Sequence, residues 1–552
     1  MVVLWPLSGL RLCLLSAPSL VLFASLVSCA VNPDELHSGH WYKLGVEDIT
    51  EALQRTQNTK VARNVLLFLG DGMGISTITA GRIFKGQKEG KSGEEGYLSF
   101  ERFPDMALLK TYNVDKQVPD SAATATAFLS GVKGNFYTLG VTAAVKNGDC
   151  ASSLLPENRP KSILTWAQET GKETGLVTTT RITHATPGAA YASSAQREWE
   201  CDAKMKQEAD PSVLHCKDIA RQLVEDQPGM NLKVIFGGGR QALGAQFDNS
   251  TATSCRRLDG LNLAHKWQEM RQAEGASYAY VTNTGQLRDV NIDNAEFILG
   301  LFADNHIPYE RDRDLGVAGE PSLSELTATA IKRLSRAEEG YFLIVEGGRI
   351  DHALHDGKAQ LALEEMQTFD AAISTALELV DLDETLVIVT ADHSHGLAIN
   401  GYPERGNDIL GTSFYKDGVT DGMPHMTLMF TTGPGFNFSY DGTKVARVNV
   451  SGVDANASSY MFPAAVPTKV GWSMHSGEDV AVHAVGPWSH LFHRTHEQTY
   501  VAHVIAYAAQ VGPFAQQRPE APHALCSSSA VAPQVFQAAV VLCAFLLLLQ
   551  RV

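Results

Sequence analysis

A serine directly after an aspartate is the strongest candidate for a nucleophile in this chain. Ser121 follows Asp120 and precedes a run of alanine and threonine, and these small residues predict a helix that starts here. The first turn of a helix offers unbonded backbone N–H groups and the positive end of a dipole, which attract an anion. Taken alone, Ser121 is most simply a helix N-cap. No base lies beside it in the sequence, so any activator must come from elsewhere.

Clusters of acidic and histidine residues follow three separate apolar runs. The clusters lie at 70–74, 346–355 and 391–395. Because ligands bind at the carboxyl ends of strands in an open α/β sheet, we expect the three clusters to converge on one site. Asp351 and His355 are four residues apart, so a helical turn would place both side chains on one face.

The residue types in these clusters indicate metal binding. Aspartate together with histidine suits zinc, whereas sets of oxygen ligands suit magnesium or calcium. Each residue alone has a simpler interpretation, Asp71 as a turn or cap residue and His355 as an ordinary surface or core histidine. Their joint occurrence favours sites that contain nitrogen ligands and a separate site rich in oxygen ligands.

Alternating strands and helices are predicted to position the clusters. Five apolar runs are continuous, which is typical of strands buried on both faces, and they lie at 65–69, 176–180, 234–236, 342–345 and 386–390. A helical pattern covers 358–379. This order predicts an α/β fold: a three-layer sandwich with a large, mostly parallel central β-sheet flanked by helices.

Two further segments differ from this pattern. Residues 410–470 are rich in Gly, Pro, Asn, Ser and aromatic residues and are predicted to form a small surface insertion. Residues 35–60 are amphipathic and precede the first strand, and we interpret them as an arm that packs on a neighbour.

Size and charge restrict the class of protein. The 552 residues, 44% hydrophobic and 19% charged, suffice for one large domain or for two or three smaller ones. The net charge of −16 argues against a nucleic-acid partner, because phosphate backbones need clustered lysine and arginine. It does not exclude small phosphorylated substrates in a local pocket.

Both ends of the chain are predicted to be processing signals. Residues 1–30 are typical of a cleaved secretory signal, and the alternative is a single transmembrane anchor. After a predicted stalk at 511–527, residues 528–552 have the pattern of a GPI-attachment propeptide, and the alternative is a plain membrane tail. The protein is therefore predicted to lie on the extracellular face of the plasma membrane.

The cysteines agree with secretion. Four of the eight could form two disulfides in three possible pairings, namely Cys150, Cys201, Cys216 and Cys255. None has CxxC spacing, which argues against a cysteine metal site. Glycosylation sequons are present at Asn249, Asn437, Asn449 and Asn456.

Eight motifs together resemble the alkaline phosphatases, in particular the animal, cell-surface branch. They lie in the family's order at 69–74, 120–127, 132–135, 178–181, 237–240, 345–352, 390–395 and 475–480. Each motif alone is a modest signal, and the set is specific. The resemblance implies hydrolysis of phosphate monoesters to an alcohol and inorganic phosphate at alkaline pH, through a covalent phosphoserine on Ser121.

The resemblance also implies cofactors and site residues. It implies two zinc ions and one magnesium ion per subunit. The implied ligands are Asp71, Ser121, Asp392 and His393 for one zinc, Asp351, His355 and His475 for the other, and Asp71, Thr186 and Glu346 for magnesium. Arg197 is expected to bind the substrate phosphate, with Asp120 orienting it and His184 beside the magnesium site.

Further expectations come from the same resemblance. It implies a catalytic domain at 31–510 that includes a crown-like insertion at 410–470, a homodimer, and a disulfide between Cys150 and Cys216. The family's later disulfide is absent near residues 510–520, and a pair between Cys201 and Cys255 is a separate prediction. A calcium site is not expected, because Ala303 stands where the family usually has an acidic ligand and Glu320 where an aspartate is usual.

Two other functions compete with this interpretation. One is a related metal-dependent phosphodiesterase or sulfatase-like hydrolase. The other is an inactive cell-surface receptor on the same fold, which would have lost the nucleophile or its metal ligands. Ser121 and all the implied ligands are present in the sequence, which favours the phosphatase.

Overall fold

The computed structural model describes residues 32–247, 255–414 and 421–515. The predicted signal at 1–30, the predicted GPI-attachment segment at 528–552, most of the predicted stalk and Asn249 lie outside these residues. Within the described ranges, no helix combines the length and the apolar character that crossing a membrane requires.

A ten-stranded sheet forms the centre of the molecule. Its strands are β1 (Asn64–Gly70), β2 (Asp105–Lys110), β3 (Glu173–Arg181), β4 (Val234–Gly238), β5 (Tyr278–Val281), β6 (Phe297–Leu301), β7 (Tyr341–Gly347), β8 (Thr385–Ala391), β9 (Val480–Val485) and β10 (Thr495–Glu497). Their spatial order is β10-β2-β9-β8-β1-β7-β3-β4-β6-β5. Only β9 runs antiparallel to its two neighbours. The predicted mostly parallel sheet is therefore confirmed.

The central strands are apolar along their whole length. Every residue of β7 and β8 is buried, and in β1 only Asn64 is partly exposed. A strand that is covered by helices on both faces needs apolar side chains on both faces, so its sequence does not alternate. All five strands expected from continuous apolar runs are present as β1, β3, β4, β7 and β8.

Helices cover both faces of the sheet. They are α1 (Ser38–Gln54), α2 (Ile75–Lys88), α3 (Ser121–Ser130), α4 (Cys150–Ser153), α5 (Ile163–Glu169), α6 (Ala185–Tyr191), α7 (Asp202–Met205), α8 (Ile219–Glu225), α9 (Leu263–Ala273), α10 (Thr284–Arg288), α11 (Leu323–Leu334), α12 (Arg349–His355), α13 (Ala359–Leu379) and α14 (Tyr500–Ala509). Helices α2, α11, α12 and α13 pack together, and α3, α5, α6, α8 and α14 form a second group. The helix expected at 358–379 is α13.

Short strands occupy the chain between β8 and β9. A three-stranded sheet is formed by Leu397–Ile399, Leu428–Thr432 and Ala464–Val466. Two-stranded ladders join Thr412–Ser413 to His425–Met426, Phe438–Tyr440 to Val445–Arg447, and Ser394–His395 to His475–Ser476. The bounds of the insertion at 410–470 and of the other predicted units stay predictions. The sequon residues Asn437, Asn449 and Asn456 are exposed.

Two disulfides close the loops beside β3 and β4. Cys150 is bonded to Cys216 with 5.9 Å between the Cα atoms, and Cys201 is bonded to Cys255 with 6.0 Å. Both expected pairings are therefore confirmed.

Candidate active site and metal centre

The three polar clusters meet at the carboxyl ends of neighbouring strands. Asp71 follows β1, Glu346 is the penultimate residue of β7 and Asp392 follows β8, and all three are fully buried. Strands β8, β1 and β7 are adjacent in the sheet. Parallel strands end at the same edge, so this topology collects residues that lie more than 300 positions apart.

Ser121 is presented to this edge by α3. The cap of the helix is Asp120, whose carboxylate accepts a hydrogen bond from Ala122 N at 3.2 Å. The simple interpretation of Ser121 as the N-cap was therefore wrong by one residue, because Asp120 takes that role and Ser121 is the first helical residue. The hydroxyl of Ser121 therefore does not cap the helix. The side chain is buried among the polar clusters.

Ser121, Asp71, Asp392 and His393 form what we name the serine-side cluster. Oγ of Ser121 lies 3.0 Å from Nε2 of His393 and 3.4 Å from Oδ1 of Asp71. The same Nε2 lies 3.5 Å from Asp71 and 3.2 Å from Asp392. Donor atoms that share one tetrahedral zinc ion lie about 3.3–3.6 Å apart, since each bond is about 2.0–2.2 Å long. The separations among Ser121, Asp71 and His393, and that between His393 and Asp392, are 3.0–3.5 Å and close to this range, so these side chains suit a zinc ion at His393.

Asp351, His355 and His475 form a second group, which we name the histidine cluster. Nδ1 of His355 donates to the carbonyl of Ser473 at 2.5 Å, and Nδ1 of His475 donates to the carbonyl of Pro119 at 2.8 Å. In each neutral ring the proton is then on Nδ1, and Nε2 carries a lone pair. These two Nε2 atoms lie 3.0 Å apart. Two facing lone pairs repel each other unless a cation lies between them, so this cluster fits a metal ion.

His395 belongs beside the histidine cluster and was not singled out from the sequence. Its Nδ1 accepts a hydrogen bond from Gly396 N at 3.0 Å, which places its own proton on Nε2. That Nε2 lies 3.7 Å from Oδ1 of Asp351. The same Nε2 lies closer to Nδ1 of His355, at 3.3 Å. Asp351, His355, His395 and His475 together form one close group that could hold a cation. The available signal was its spacing of two residues from His393.

The oxygen-rich cluster contains Asp71, Thr186 and Glu346, with His184 beside it. Oδ2 of Asp71 and Oε1 of Glu346 are buried without a hydrogen-bond partner among the described residues, and the hydroxyl of Thr186 lies next to Glu346. Carboxylate and hydroxyl oxygens are the ligands that magnesium prefers. Two unpartnered buried carboxylate oxygens are costly without a cation, so this cluster fits magnesium.

His184 lies beside this cluster, with a ring nitrogen within 4.8 Å of carboxylate oxygens of Asp71 and Glu346. Nε2 of His184 accepts from Nη2 of Arg197 at 3.3 Å, because an arginine can only donate. Burial and the charge of Arg197 hold the pKa of His184 well below its usual value, so the ring is neutral. Its proton is then on Nδ1, which is buried without a partner among the described residues. His184 can therefore donate to an oxygen at the cluster.

Arg197 is held in place beside Ser121. Its Nη1 donates to Asp120 at 3.1 Å, and Oδ1 of Asp120 accepts a second bond, from Tyr137 N, at 2.9 Å. Ser121 and Arg197 line one cavity of about 640 Å³. A fixed guanidinium next to a buried hydroxyl can bind two oxygens of a phosphate group.

The electrostatics of the site favour cations. Burial, together with repulsion from Asp392, raises the pKa of Asp71 well above its usual value. Burial also raises the pKa of Glu346 to about 7. Crowded buried carboxylates resist ionisation, and a bound cation reverses that preference by compensating their charge.

Three further side chains line the cavity and were not identified as site residues from the sequence. They are His306, His352 and Arg349. His306 and His352 pack together with 4.3 Å between ring centroids. They continue the wall that begins with Arg197 and His184.

Comparisons with known proteins agree with this geometry. The family model described as alkaline phosphatase matches residues 62–511. The tissue-nonspecific isozyme of alkaline phosphatase from Gallus gallus is 44% identical over 502 residues, which covers 90% of this chain and 94% of that protein. The membrane-bound alkaline phosphatase of Bombyx mori is 42% identical over 513 residues, which covers 91% of this chain and 90% of that protein.

Solved structures show the same fold at lower identity. The alkaline phosphatase of the Antarctic bacterium TAB5 aligns with a TM-score of 0.54 at 23% identity, covering 82% of this chain and 99% of that one. The alkaline phosphatase of Thermus thermophilus aligns with a TM-score of 0.56 at 24% identity, covering 82% of this chain and 93% of that one. With the family model matched over most of its length, this chain belongs to the alkaline phosphatase family and is a phosphatase.

Proposed function

We propose that the protein hydrolyses phosphate monoesters at alkaline pH through a covalent phosphoserine on Ser121. The observation that carries the proposal is the position of Ser121 Oγ, 3.0 Å from His393 and 3.4 Å from Asp71, in the cavity that Arg197 also lines. This position among candidate metal ligands and beside the guanidinium of Arg197 supports attack by Ser121 on a phosphate group held by Arg197.

The donor sets support two zinc ions and one magnesium ion. Two close groups combine aspartate with histidine nitrogen, Asp71, Asp351 and His393 in one and Asp351, His355, His395 and His475 in the other, which suits zinc. A third close group contains Asp71, Glu346 and His184, and its carboxylate oxygens suit magnesium. When bound, such ions lower the pKa of a hydroxyl or water and compensate the charge on phosphoryl and leaving oxygens.

The residues of the chain divide the reaction into two steps. Arg197 binds two non-bridging oxygens of the substrate and aims phosphorus at Ser121, while Asp120 keeps the guanidinium in place. Ser121 Oγ forms a bond to phosphorus as the ester bond breaks, and the alcohol leaves with a proton. Water then attacks the phosphoserine, restores the hydroxyl of Ser121 and releases inorganic phosphate. His184 donates from Nδ1 to an oxygen at the oxygen-rich cluster.

Replacing the nucleophile tests the proposal. We expect Ser121→Ala to lose nearly all turnover of p-nitrophenyl phosphate and to form no phosphoenzyme, while zinc and magnesium contents measured by mass spectrometry remain. Ser335→Ala, which changes an exposed serine after α11, should keep wild-type activity. Substantial phosphoenzyme in Ser121→Ala would show that the nucleophile lies elsewhere.

Substrate choice separates the competing functions. We expect kcat/KM for p-nitrophenyl phosphate to exceed that for bis-p-nitrophenyl phosphate, because Arg197 and Asp120 are positioned for a terminal phosphate with free oxygens. A preference for the diester would favour a phosphodiesterase. No turnover of either ester after loading with zinc and magnesium would favour an inactive receptor.

We infer that the protein is a homodimer attached to the outer face of the plasma membrane by a GPI anchor. The C-terminal sequence pattern supports the anchor, and one relative is named a membrane-bound alkaline phosphatase. Release of activity from intact cells by a phosphatidylinositol-specific phospholipase C tests it, and activity that stays on the cells would contradict it. Support for the dimer comes from α1, none of whose residues are buried.

A further inference from the structure

We propose that Arg349 and His352 form a second anion-binding position in the cavity beside Ser121, which favours phosphate esters whose leaving group carries its own negative charge. The inference rests on the proposed function, because it assigns the leaving-group side of the same site. It names a class of substrate: compounds with a carboxylate or a second phosphate close to the ester.

Arg349 has few partners for a guanidinium inside a cavity. It lies over the ring of Tyr309, 3.8 Å from the centroid. Its side chain donates one hydrogen bond, from Nη1 to Nδ1 of His352 at 3.0 Å, and makes no ion pair with a carboxylate of the described residues. Its Nε is buried without a hydrogen-bond partner among them. An arginine that is held by stacking and has free donors is suited to bind an anion.

His352 supplies a neutral donor next to Arg349. Because arginine only donates, Nδ1 of His352 is an acceptor and its proton is on Nε2. His352 lines the same cavity as Ser121. The pair therefore offers a charged donor and a neutral donor to one ligand.

The pair lies at the far end of a row that begins at the phosphate position. Arg197 donates to His184 at 3.3 Å, and the rings of His184 and His352 lie 5.2 Å apart, followed by Arg349. Two imidazole rings thus separate the two guanidinium groups. A group bound by Arg197 and a second anion a few bonds away can contact both ends of the row.

Helix α12 places this position on the leaving-group side. Arg349, His352 and His355 follow one another at intervals of three on this helix, so their side chains lie along one face, and His355 belongs to the histidine cluster. In the proposed reaction Ser121 attacks from the serine-side cluster, so the leaving oxygen departs toward the histidine cluster. The leaving group then extends along α12, next to Arg349 and His352.

Most carboxylates that line the cavity have cationic or histidine partners, so they repel an anion at this position only weakly. The carboxylates that line the cavity are Asp120, Glu198, Asp351 and Asp356. Asp120 pairs with Arg197 at 3.1 Å, and Asp356 pairs with Lys358 at 3.1 Å. Asp351 is engaged by the histidine cluster, so among the carboxylates that line the cavity only the exposed Glu198 has no ion pair within the described chain. Buried Glu365, outside the cavity lining, accepts a hydrogen bond from Glu310 N and offsets part of the charge of Arg349.

Matched substrates test the inference on the full-length, metal-loaded enzyme. Glycerol 3-phosphate and 3-phosphoglycerate share a three-carbon skeleton and differ in a hydroxymethyl or carboxylate group. The monophosphate and bisphosphate of propane-1,3-diol form a second pair. We expect Arg349→Met to lower the ratio of kcat/KM for the anionic over the uncharged leaving group roughly tenfold or more, since a charge-assisted hydrogen bond is lost. Arg349→Lys should retain part of the ratio.

Controls keep the result interpretable. Arg336→Met, which changes a surface arginine, should leave the ratio at the wild-type value, and melting temperatures show whether each variant is folded. A response of either substrate pair supports the inference and identifies the anion as carboxylate or phosphate. If Arg349→Met slows both members of each pair equally, Arg349 is structural and the inference is wrong. If the wild type hydrolyses none of the four esters, the proposed function itself fails.

Discussion

At the scale of single residues, hydrogen bonds to backbone carbonyls decide what the site can bind. His355 and His475 each donate from Nδ1 to a carbonyl, so both direct a bare Nε2 at the same point, 3.0 Å apart. His395 is held in the opposite tautomer by Gly396 N. Neighbouring histidines are therefore held in two tautomers: His355 and His475 present a lone pair on Nε2, and His395 presents a proton there.

A substitution at Gly72 tests whether the backbone after β1 must lie close to Asp351. Its φ is +67°, and a Cβ atom would lie 2.9 Å from Oδ1 of Asp351. We expect Gly72→Ala to displace Asp351 and to lower both the zinc content and kcat/KM by at least tenfold. Gly452→Ala is the matched control, since its φ is +74° and nothing lies within 4 Å of its Cβ position. Equal effects of the two substitutions would mean that backbone strain, not contact with Asp351, explains the loss.

At the scale of elements, the antiparallel strand β9 completes the sheet between β8 and β2. It brings His483 opposite Val389 of β8 and Met106 of β2, with the ring of Phe100 5.2 Å away. Burial lowers the pKa of His483 to about 4. Folded His483 therefore stays neutral at pH values at which a histidine in the unfolded chain is protonated.

The pH dependence of stability follows from that shift. In the unfolded chain histidine titrates near about 6.5. As pH falls from about 6.5 to 4, the unfolded state binds a proton that folded His483 does not, so the folded state loses up to about 3 kcal/mol, about 2 kcal/mol of it by pH 5. We expect His483→Gln to lose less unfolding free energy than the wild type between pH 8 and pH 5 in urea titrations. A surface change, His265→Gln, should behave as the wild type, and equal pH dependence in all three proteins would contradict the argument.

At the scale of the whole molecule, α1 is covered by nothing in the described chain. Its apolar side chains face solvent, with Trp41 54%, Ile49 62% and Leu53 81% exposed. Exposed apolar surface on this scale is typical of an interface. The arm inferred from the amphipathic sequence at 35–60 thus remains a prediction for the dimer that we propose.

Charged substitutions on α1 test the dimer. We expect Ile49→Asp together with Leu53→Asp to shift the mass measured by light scattering from dimer to monomer at micromolar concentration, because each buried aspartate would lack a partner. Lys43→Ala on the same helix is the control and should remain dimeric. A monomeric wild type, or a double variant that stays dimeric, would show that α1 does not form the interface.

Much of the architecture was predictable because it depends on local sequence. Continuous apolar runs identified β1, β3, β4, β7 and β8, since a strand buried on both faces cannot alternate. The acidic and histidine residues at strand ends predicted candidate metal-binding groups, and the fold brings such groups together. The cysteine spacing alone left three pairings open; the family resemblance supplied Cys150–Cys216, and Cys201–Cys255 was a separate prediction.

Tertiary structure alone decided how these groups are used. Asp120 rather than Ser121 caps α3. The row of His184, His352 and Arg349 forms because β3, which precedes His184, is the neighbour of β7, which precedes α12. Tautomers, unpaired charges and cavities depend on neighbours that are far apart in the sequence, so no local pattern specifies them. The sequence by itself determined which groups are present and which strands carry them. The fold determined which of them face one another, because contacts across the sheet depend on strand order and register.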